Sequence, residues 1–263
     1  MKNMSTSLLL PGATKSRADT LKKLNVGAGV FHGINFIVAL VLIILYSNQS
    51  LSTSITTDFN ATIDVLGDYK VIWVELPFSA ITSVFHLGLA WLPEQTTHYN
   101  EYVLLKGYSP YRWIEYAITA SLMTWVVLQV AGVTNVVVLV LAGIICNMVL
   151  QYQGYLMEVL NPNKRARINW GPTWAGWILF VGQWALIWTY FGSTVSQGAP
   201  WYVYAIVIGM FVQYCFFGMV QLVQFTGFMD SYGAERAYII LSYTSKCFQL
   251  YVLVIAMLTS PAT

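Results

Sequence analysis

Seven long apolar runs, separated by short polar stretches, organise this sequence of 263 residues. A helix needs about 20 apolar residues to cross the hydrocarbon core of a bilayer. The windows that meet or approach this length are residues 26–46, 71–92, 111–130, 133–156, 174–190, 201–225 and 237–258. Ala131 and Gly132 alone separate the third window from the fourth, which predicts an antiparallel helical hairpin. We therefore expect an all-α membrane protein: a single seven-helix domain over residues 1–263.

Composition supports the bilayer as the solvent of this chain. Hydrophobic residues make up 57% of it and charged residues 9%, whereas soluble domains carry about 25% charged residues. The small formal net charge of +2 gives no sign of nucleic-acid binding. The three cysteines all lie in apolar runs and show neither disulfide nor metal-ligand spacing, so we predict no metal site.

Lysine and arginine positions predict the orientation, because cytoplasmic loops are enriched in both residues. With the N-terminus inside, Lys70 is extracellular and all other loop or terminal basic residues are cytoplasmic. These are Lys2, Lys15, Arg17, Lys22, Lys23, Lys106, Arg112, Lys164, Arg165, Arg167 and Arg236. We expect a polar cytoplasmic N-terminus over residues 1–22 and an extracellular C-terminus. The extracellular loop over residues 48–70 carries glycosylation acceptor patterns at Asn48 and Asn60, and it is long enough to form a small hairpin.

Few ionisable residues lie within the predicted helices, and each is a functional candidate because a charge in hydrocarbon costs about 3 kcal/mol or more. Lys246 lies midway along the seventh helix, too deep to reach either interface comfortably. Burial favours its neutral amine, which can condense with an aldehyde to give an imine. If that imine is protonated it needs an anion, and Glu115 in the third helix is the candidate. A simple salt bridge between the two residues is the alternative.

Other residues of the last four helices could complete a site around this lysine. Ser242 precedes it by four residues on the same helix face, where the hydroxyl can bond the imine, the counterion or only its own backbone. Trp184, Tyr214 and Phe217 lie mid-helix, where aromatic rings can wall an apolar ligand. Gly143 in the fourth helix permits close approach of a ligand ring or of a neighbouring helix.

Several of these segments resemble the heliorhodopsins, a family of microbial-type rhodopsins with inverted membrane orientation. Residues 235–242 (ERAYIILS), followed by Lys246, are similar to the family's seventh-helix signature. Residues 112–116 (RWIEY) look like its counterion segment. His32 and His86, in the first two helices, look like its histidine positions; packed, hydrogen-bonded histidines are the alternative. The resemblance runs from about Leu21 to Leu258.

The resemblance implies a retinal-binding light sensor of rhodopsin-type fold. It implies all-trans-retinal on Lys246 as a protonated Schiff base, Glu115 as its counterion and light-driven isomerisation to the 13-cis form. His32 and His86 would accept the released proton beside a polar cavity near the cytoplasmic side. The residues expected to line the retinal site are Ser242, Trp184, Gly143, Tyr214, Phe217, Met123 and Thr119. A homodimer in the plasma membrane, with a cytoplasmic signalling partner, is also implied.

Two positions depart from the family's pattern, and both bear on the shape of the pocket. Ile145 stands where the fourth helix usually offers an asparagine, with Asn147 close by. Gln183 stands where a proline is often found.

Outward proton pumping is not expected from these residues. Familiar pumping rhodopsins carry a second acid eleven residues after the third-helix counterion and an acid four residues before the lysine; here those positions hold Val126 and Ser242. We therefore expect a light sensor with a slow photocycle. The alternative is a light-gated ion or proton pathway, for which polar residues are available at Glu75, Asn35, Gln129, Gln213 and Gln221. An enzyme is not expected, since the sequence offers no Ser-His-Asp arrangement and no metal cluster.

Overall fold

The described part of the chain contains seven membrane-length helices, as the hydropathy pattern predicts. The computed structural model describes residues 11–46, 52–59, 62–91, 98–162 and 167–259, and within these ranges seven helices are long and apolar enough to cross a bilayer. They are α1 Pro11–Tyr46, α2 Glu75–Trp91, α3 Pro110–Val130, α4 Val136–Leu160, α5 Gly171–Ser196, α6 Trp201–Phe225 and α7 Ser231–Thr259.

Helix α1 begins well before the predicted window, which opened at Val26. Apolar positions continue at helical spacing through the basic segment, and Ala18 and Leu21 are buried against Val103 and Ile239. Hydropathy marks the part of a helix that crosses the bilayer, whereas this part packs against protein. The segment predicted as a polar N-terminus is therefore helical from Pro11 onward, and residues 1–10 lie outside the described ranges.

The loop between α1 and α2 contains an antiparallel hairpin, as predicted. Strand β1 (Ser52–Phe59) pairs with strand β2 (Thr62–Lys70), with a register shift between Ile55 and Thr56. A single turn of 3-10 helix, Val71–Val74, joins β2 directly to α2. The two acceptor residues Asn48 and Asn60 lie outside the described ranges.

Contacts with α3 and with the α3–α4 turn hold this hairpin against the bundle. The Thr56 amide donates to the Thr134 carbonyl oxygen at 3.0 Å. The Tyr69 hydroxyl accepts a hydrogen bond from Trp125 Nε1 at 2.5 Å and donates to Gln129. We call this end of the bundle, where α1 finishes and α3 meets the hairpin, the hairpin end. The opposite end, where α1, α3, α5 and α7 begin, is the N-terminal end.

The predicted tight connection between α3 and α4 is present and depends on a glycine. Gly132 has φ of +100°, a conformation that L-residues with side chains rarely adopt. Asn135 then caps α4, its side-chain oxygen accepting from the amides of Val137 and Val138 at 2.9 and 3.1 Å. The following segment of α4, Leu139–Ile145, is π-helical.

Helices α3 and α7 are the most buried of the seven spans, whereas α4 and α5 expose most of their surface. Large apolar side chains such as Ile34, Ile178 and Val181 point outward, as expected where the surrounding solvent is lipid. The main apolar core includes Met123, Ile187, Ile206, Met210, Leu250 and Leu253. Polar side chains on α3 and α7 are thereby held in the centre of the bundle.

Candidate functional site

A buried ion pair between α7 and α3 lies at the centre of the bundle. Lys246 is 3% exposed and Glu115 4% exposed. The Lys246 ammonium donates to Oε1 of Glu115 and, at 2.9 Å, to Oγ of Ser242. Removing two charges from water offsets most of the attraction between them. Such a pair is therefore a poor source of stability, and its place in the membrane interior points to chemistry.

Local helix geometry brings these groups together. Ser242 precedes Lys246 by one turn, so its hydroxyl lies on the face that the lysine side chain crosses. Tyr116, next to Glu115 in α3, places its ring centroid 5.6 Å from the lysine Nζ, where the face of an aromatic ring attracts a cation. Thr119 donates to the Glu115 backbone carbonyl oxygen at 3.0 Å. The nitrogen thus has an anion, a hydroxyl and an aromatic ring as neighbours.

A cavity lined mainly by apolar and aromatic groups opens beside Lys246 and extends between α3, α4, α5, α6 and α7. Its lining residues are Trp113, Tyr116, Thr119, Ala120, Met123, Asn147, Leu150, Gln151, Gln153, Gly154, Pro172, Thr173, Gly176, Trp177, Phe180, Gln183, Tyr214, Phe217, Gly218, Gln221, Tyr238, Ser242, Ser245 and Lys246. Among the residues predicted to surround the ligand, Lys246, Ser242, Tyr214, Phe217, Met123 and Thr119 are in this lining.

Two of the residues predicted to surround the ligand, Trp184 and Gly143, lie outside the lining. Trp184 is buried one layer behind the wall, with its ring 6.0 Å from that of Phe180 and 5.9 Å from that of Tyr214. Gly143 faces α3, where a Cβ atom would meet Leu128 at 3.2 Å. It therefore allows a close approach of helices, one of the two possibilities that its position suggested.

The two positions that depart from the family pattern, Ile145 and Gln183, differ in whether they line the cavity. Ile145 is 47% exposed on the outer surface of α4, so its assignment to the pocket is wrong. Asn147 lines the cavity instead and donates to Thr124, because residues two apart on a helix point to opposite faces. Gln183 lines the cavity and donates through Nε2 to the Ala142 carbonyl oxygen at 2.6 Å.

The two membrane histidines are brought together near the lysine. His32 of α1 and His86 of α2 are both buried, with ring centroids 6.0 Å apart and ring planes within 7° of parallel. Nδ1 of His86 is 2.6 Å from Oδ1 of Asn25. The Nε2 atoms of both rings have no hydrogen-bond partner among the described residues.

A second buried charge cluster, which the sequence reasoning missed, lies at the N-terminal end. Arg112, assigned from sequence to the basic cytoplasmic loops, is instead buried within α3 and pairs with Glu158 of α4 and Glu235 of α7. Glu158 also accepts from Trp113 Nε1 at 2.7 Å. The guanidinium lies 4.2 Å from the centroid of the Tyr238 ring. A carboxylate at the edge of an apolar window, as at Glu158, was the signal available in the sequence.

A long apolar molecule that ends in an aldehyde fits this arrangement. The primary amine at the cavity is the group that condenses with an aldehyde. The rings of Trp113, Trp177, Phe180, Tyr214 and Phe217 supply apolar walls. Gly218 allows close packing at the wall, since a Cβ atom there would lie 2.8 Å from the Trp177 ring. The residues present therefore fit retinal.

Comparisons with known proteins agree with this geometry. The solved transmembrane domain of the Salpingoeca rosetta rhodopsin phosphodiesterase superposes with a TM-score of 0.67 at 14% sequence identity, over 95% of this chain and 90% of that one. At that identity the likeness shows the fold alone, a rhodopsin-type bundle. No curated protein shows significant sequence similarity to the chain. The family model described as Heliorhodopsin matches residues 21–257. The chain therefore belongs to the heliorhodopsins, a family of retinal-based photoreceptors that span the membrane.

Proposed function

We propose that this heliorhodopsin is a light sensor that holds all-trans-retinal on Lys246 with Glu115 as the counterion. The observation that carries the proposal is the Lys246 amine, paired with Glu115 and Ser242, beside a cavity with aromatic walls. When bound through a protonated imine, retinal supplies absorption of visible light and isomerisation to the 13-cis form.

The residues around Lys246 hold a positive charge on Nζ. Glu115 balances that charge in a place with little water, where a charge without a partner would be costly. In the free lysine, the ammonium also donates to the Ser242 hydroxyl at 2.9 Å. The protonated imine would keep one N–H, directed at Glu115, with the Ser242 hydroxyl beside it and the Tyr116 ring adding an attraction from a third side. Together these groups keep a proton on Nζ in the dark.

His32 and His86 are the groups that receive this proton after illumination. Their rings lie on α1 and α2 within reach of the Lys246 charge, and each has an Nε2 atom free of hydrogen bonds among the described residues. A histidine can take up or release a proton near neutral pH. The stacked arrangement lets the two rings share one added proton without leaving the bundle.

This chain lacks two of the acidic residues that outward proton pumps of the rhodopsin type carry. The position eleven residues after Glu115 is Val126, fully buried in the apolar core. Ser242 replaces the acid that pumps carry on the seventh helix. We therefore propose a slow photocycle in which Nζ regains a proton from within the bundle, and a protein partner that reads the altered surface.

The proposed orientation places the N-terminal end in the cytoplasm and the C-terminus outside. Basic residues concentrate at the N-terminal end, which is the distribution found on cytoplasmic faces. A signalling partner would meet the protein there, and the hairpin would be extracellular. We further propose a homodimer in the plasma membrane.

Pigment formation tests the attachment site. With retinal added, the wild type should develop a visible absorption band and Lys246→Arg should remain colourless, because a guanidinium does not form the imine. Ser245→Ala is the matched control, since it changes a cavity residue one position away and leaves the amine in place. A coloured Lys246→Arg protein would exclude Lys246 as the attachment site.

Absorption of the Glu115→Gln variant tests the counterion. Loss of the anion destabilises the charged ground state, so the remaining visible band should shift to the red and should be partly replaced by near-ultraviolet absorption at neutral pH. Glu158→Gln serves as the control, because this equally buried carboxylate pairs with Arg112 instead. An unchanged Glu115→Gln spectrum would assign the counterion elsewhere, with Glu75 as the next candidate.

A light-gated proton pathway is the second candidate function. It is favoured by one observation: polar side chains of α2 that reach from the histidine pair toward the hairpin end. Voltage clamp under illumination separates the two candidates. A steady photocurrent would support conduction, whereas an electrically silent protein with a normal photocycle would support the sensor.

A further inference from the structure

One face of α2 is polar along most of the helix, although the helix crosses the membrane. Glu75, Ser79, Thr82 and His86 follow one another at spacings of four, three and four residues, which places them on a single helix face. All four are buried, with at most 4% of each residue exposed. We call this set the α2 stripe. It begins one turn inside the hairpin end and finishes at the histidine pair.

The α2 stripe is unusual because its polar atoms lack partners. Among the described residues, both Glu75 carboxylate oxygens, the Ser79 and Thr82 hydroxyls and Nε2 of His86 make no hydrogen bond. An unpaired polar atom is destabilising in a protein interior, so buried polar groups are nearly always paired. Ser83 borders this face but points toward α1, where its hydroxyl follows the rule and donates to the Gly29 carbonyl oxygen at 2.8 Å. Helix packing alone does not explain why all four residues of the α2 stripe carry a buried polar atom without a hydrogen bond.

Glu75 is surrounded by groups that do not balance a negative charge. The amide of Gln249 lies beside it and donates to the Met123 carbonyl oxygen at 3.2 Å, and this amide carries no charge that could balance a carboxylate. Tyr214 is also near, with its hydroxyl 3.2 Å from that of Thr124. No basic side chain of the described residues pairs with Glu75. An unpaired buried carboxylate is so costly that the group takes up a proton instead, which makes Glu75 a neutral acid.

The two ends of the α2 stripe lie near two positions of α7, at Lys246 and Gln249. Interactions of His86 with Lys246 and Glu115 place one end of the stripe near the central ion pair. Gln249 lies three residues beyond Lys246 in α7 and adjoins Glu75 at the other end. Neighbours on the stripe have Cβ atoms about 5–6 Å apart, a gap that a hydrogen-bonded water spans. The stripe therefore offers a chain of exchangeable protons.

We propose that the α2 stripe is a proton relay in which Glu75 stores a proton for the Lys246 nitrogen. This role rests on the proposed function. After Nζ has given its proton to the histidine pair, the Glu75 acid releases one proton. Ser79, Thr82 and His86 each accept a proton and pass on one of their own, and Nζ gains one from His86, the stripe residue nearest the ion pair. Glu75 remains a carboxylate until the proton held by the histidines returns along the same path, so no net charge crosses the membrane.

Infrared spectroscopy of the protein without retinal tests the resting state of Glu75. The wild type should show a carboxylic-acid C=O band that disappears in Glu75→Gln, because the amide has the shape of the neutral acid but not its vibration. Unfolding temperatures of the two proteins should be similar, since the substitution removes no charge. Identical acid bands in the two proteins would mean that Glu75 is ionised, and the proposal would be overturned.

Light-minus-dark infrared spectra with retinal bound test the relay itself. The same acid band should be lost and regained during the photocycle of the wild type. Glu75→Gln and Thr82→Val should slow recovery of the visible band by about 100-fold, the scale of one positioned proton donor. Ser83→Ala, the control off the stripe, should recover at the wild-type rate.

These experiments distinguish failure of the proposed function from failure of the relay. If the wild type stays colourless with retinal, the proposed function falls and the relay falls with it. If the wild type is coloured but Glu75→Gln and Thr82→Val recover as fast as Ser83→Ala, the relay alone is overturned.

Discussion

The Arg112 cluster predicts a large loss of stability on a single substitution. Arg112→Gln would leave Glu158 and Glu235 buried without the cation that both now contact. Glu158 is 0% exposed, so water does not replace the lost partner. Removal of one member of a buried ion pair costs about 3–5 kcal/mol. The contact of the guanidinium with the Tyr238 ring, 4.2 Å from the centroid, adds to this loss.

Thermal unfolding of the detergent-solubilised protein measures this effect. A loss of about 3–5 kcal/mol corresponds to a midpoint lowered by roughly 10 °C for a chain of this size. Arg236→Gln is the matched control, because this neighbouring arginine is exposed, where substitutions change stability by about 0.5 kcal/mol or less. The comparison thus separates the loss of a buried partner from the loss of a positive charge.

A compensating variant makes the prediction sharper. Replacing all three charges, as Arg112→Met, Glu158→Gln and Glu235→Gln together, removes the uncompensated carboxylates. Buried ion pairs can often be replaced by neutral groups with little loss, so most of the stability should return. If Arg112→Gln unfolds at the temperature of Arg236→Gln, or if the triple variant is no more stable than Arg112→Gln, the electrostatic account of this cluster is refuted.

Two further substitutions test packing and the hairpin contact. Gly154→Ala should destabilise the protein by about 1–3 kcal/mol in thermal unfolding, because the new Cβ overlaps the Trp113 ring; Gly182→Ala, with nothing within 4 Å, should be harmless. Tyr69→Phe should make the hairpin easier to cleave by protease, since it loses the bonds to Trp125 and Gln129. Burial raises the pKa of Tyr69 above its ordinary 10.0, so the bond that its hydroxyl donates to Gln129 should be intact below pH 10.0 and be lost only as the pH rises through the higher value. Unchanged cleavage in Tyr69→Phe would contradict the assigned role.

The helices could be predicted from sequence because a segment that crosses the bilayer must be apolar over its whole length and must satisfy its own backbone hydrogen bonds. Twenty or so apolar residues in a row have one stable arrangement in lipid, and the window over residues 201–225 coincides with α6. Hydropathy predicts the end of a helix poorly where that end packs against protein instead of lipid, as at the start of α1. Ala18 and Leu21 of α1 pack against Val103, in the helical segment His98–Lys106 after α2, and against Ile239 of α7. These contacts depend on chain segments distant in sequence.

Individual chemical groups of the site could be identified from sequence, whereas their shared surroundings could not. Lys246 and Glu115 can be recognised in the sequence because a charged residue in a membrane helix is costly and therefore usually functional. Tyr238 and Asn147 cannot, since a tyrosine or asparagine in such a helix is common. Their places in the cavity wall follow from the rotation of α7 and α4 about their axes. Hydropathy carries no information about that rotation.

Helices α3 and α7 carry opposite charges in opposite order, and this links the central pair to the N-terminal end. On α3, Arg112 precedes Glu115 by one turn; on α7, Glu235 precedes Lys246 by three turns, and the charges pair as Arg112 with Glu235 and Glu115 with Lys246. The lysine side chain leans back toward the start of α7, as its bond to the preceding turn at Ser242 requires.

This pairing suggests how a change at the centre reaches a partner. When Nζ loses its proton, Glu115 loses its balancing charge, and the closest cation along α3 is Arg112, three residues away. Tyr238 lies between the two pairs: its backbone carbonyl oxygen accepts from Tyr116 at 3.0 Å, and its ring lies against the guanidinium. A stronger pull of Glu115 on Arg112 weakens the contacts of the guanidinium with the α4 and α7 carboxylates. We therefore expect the end of α4 and the start of α7 to move at the N-terminal end, the surface proposed above to be cytoplasmic.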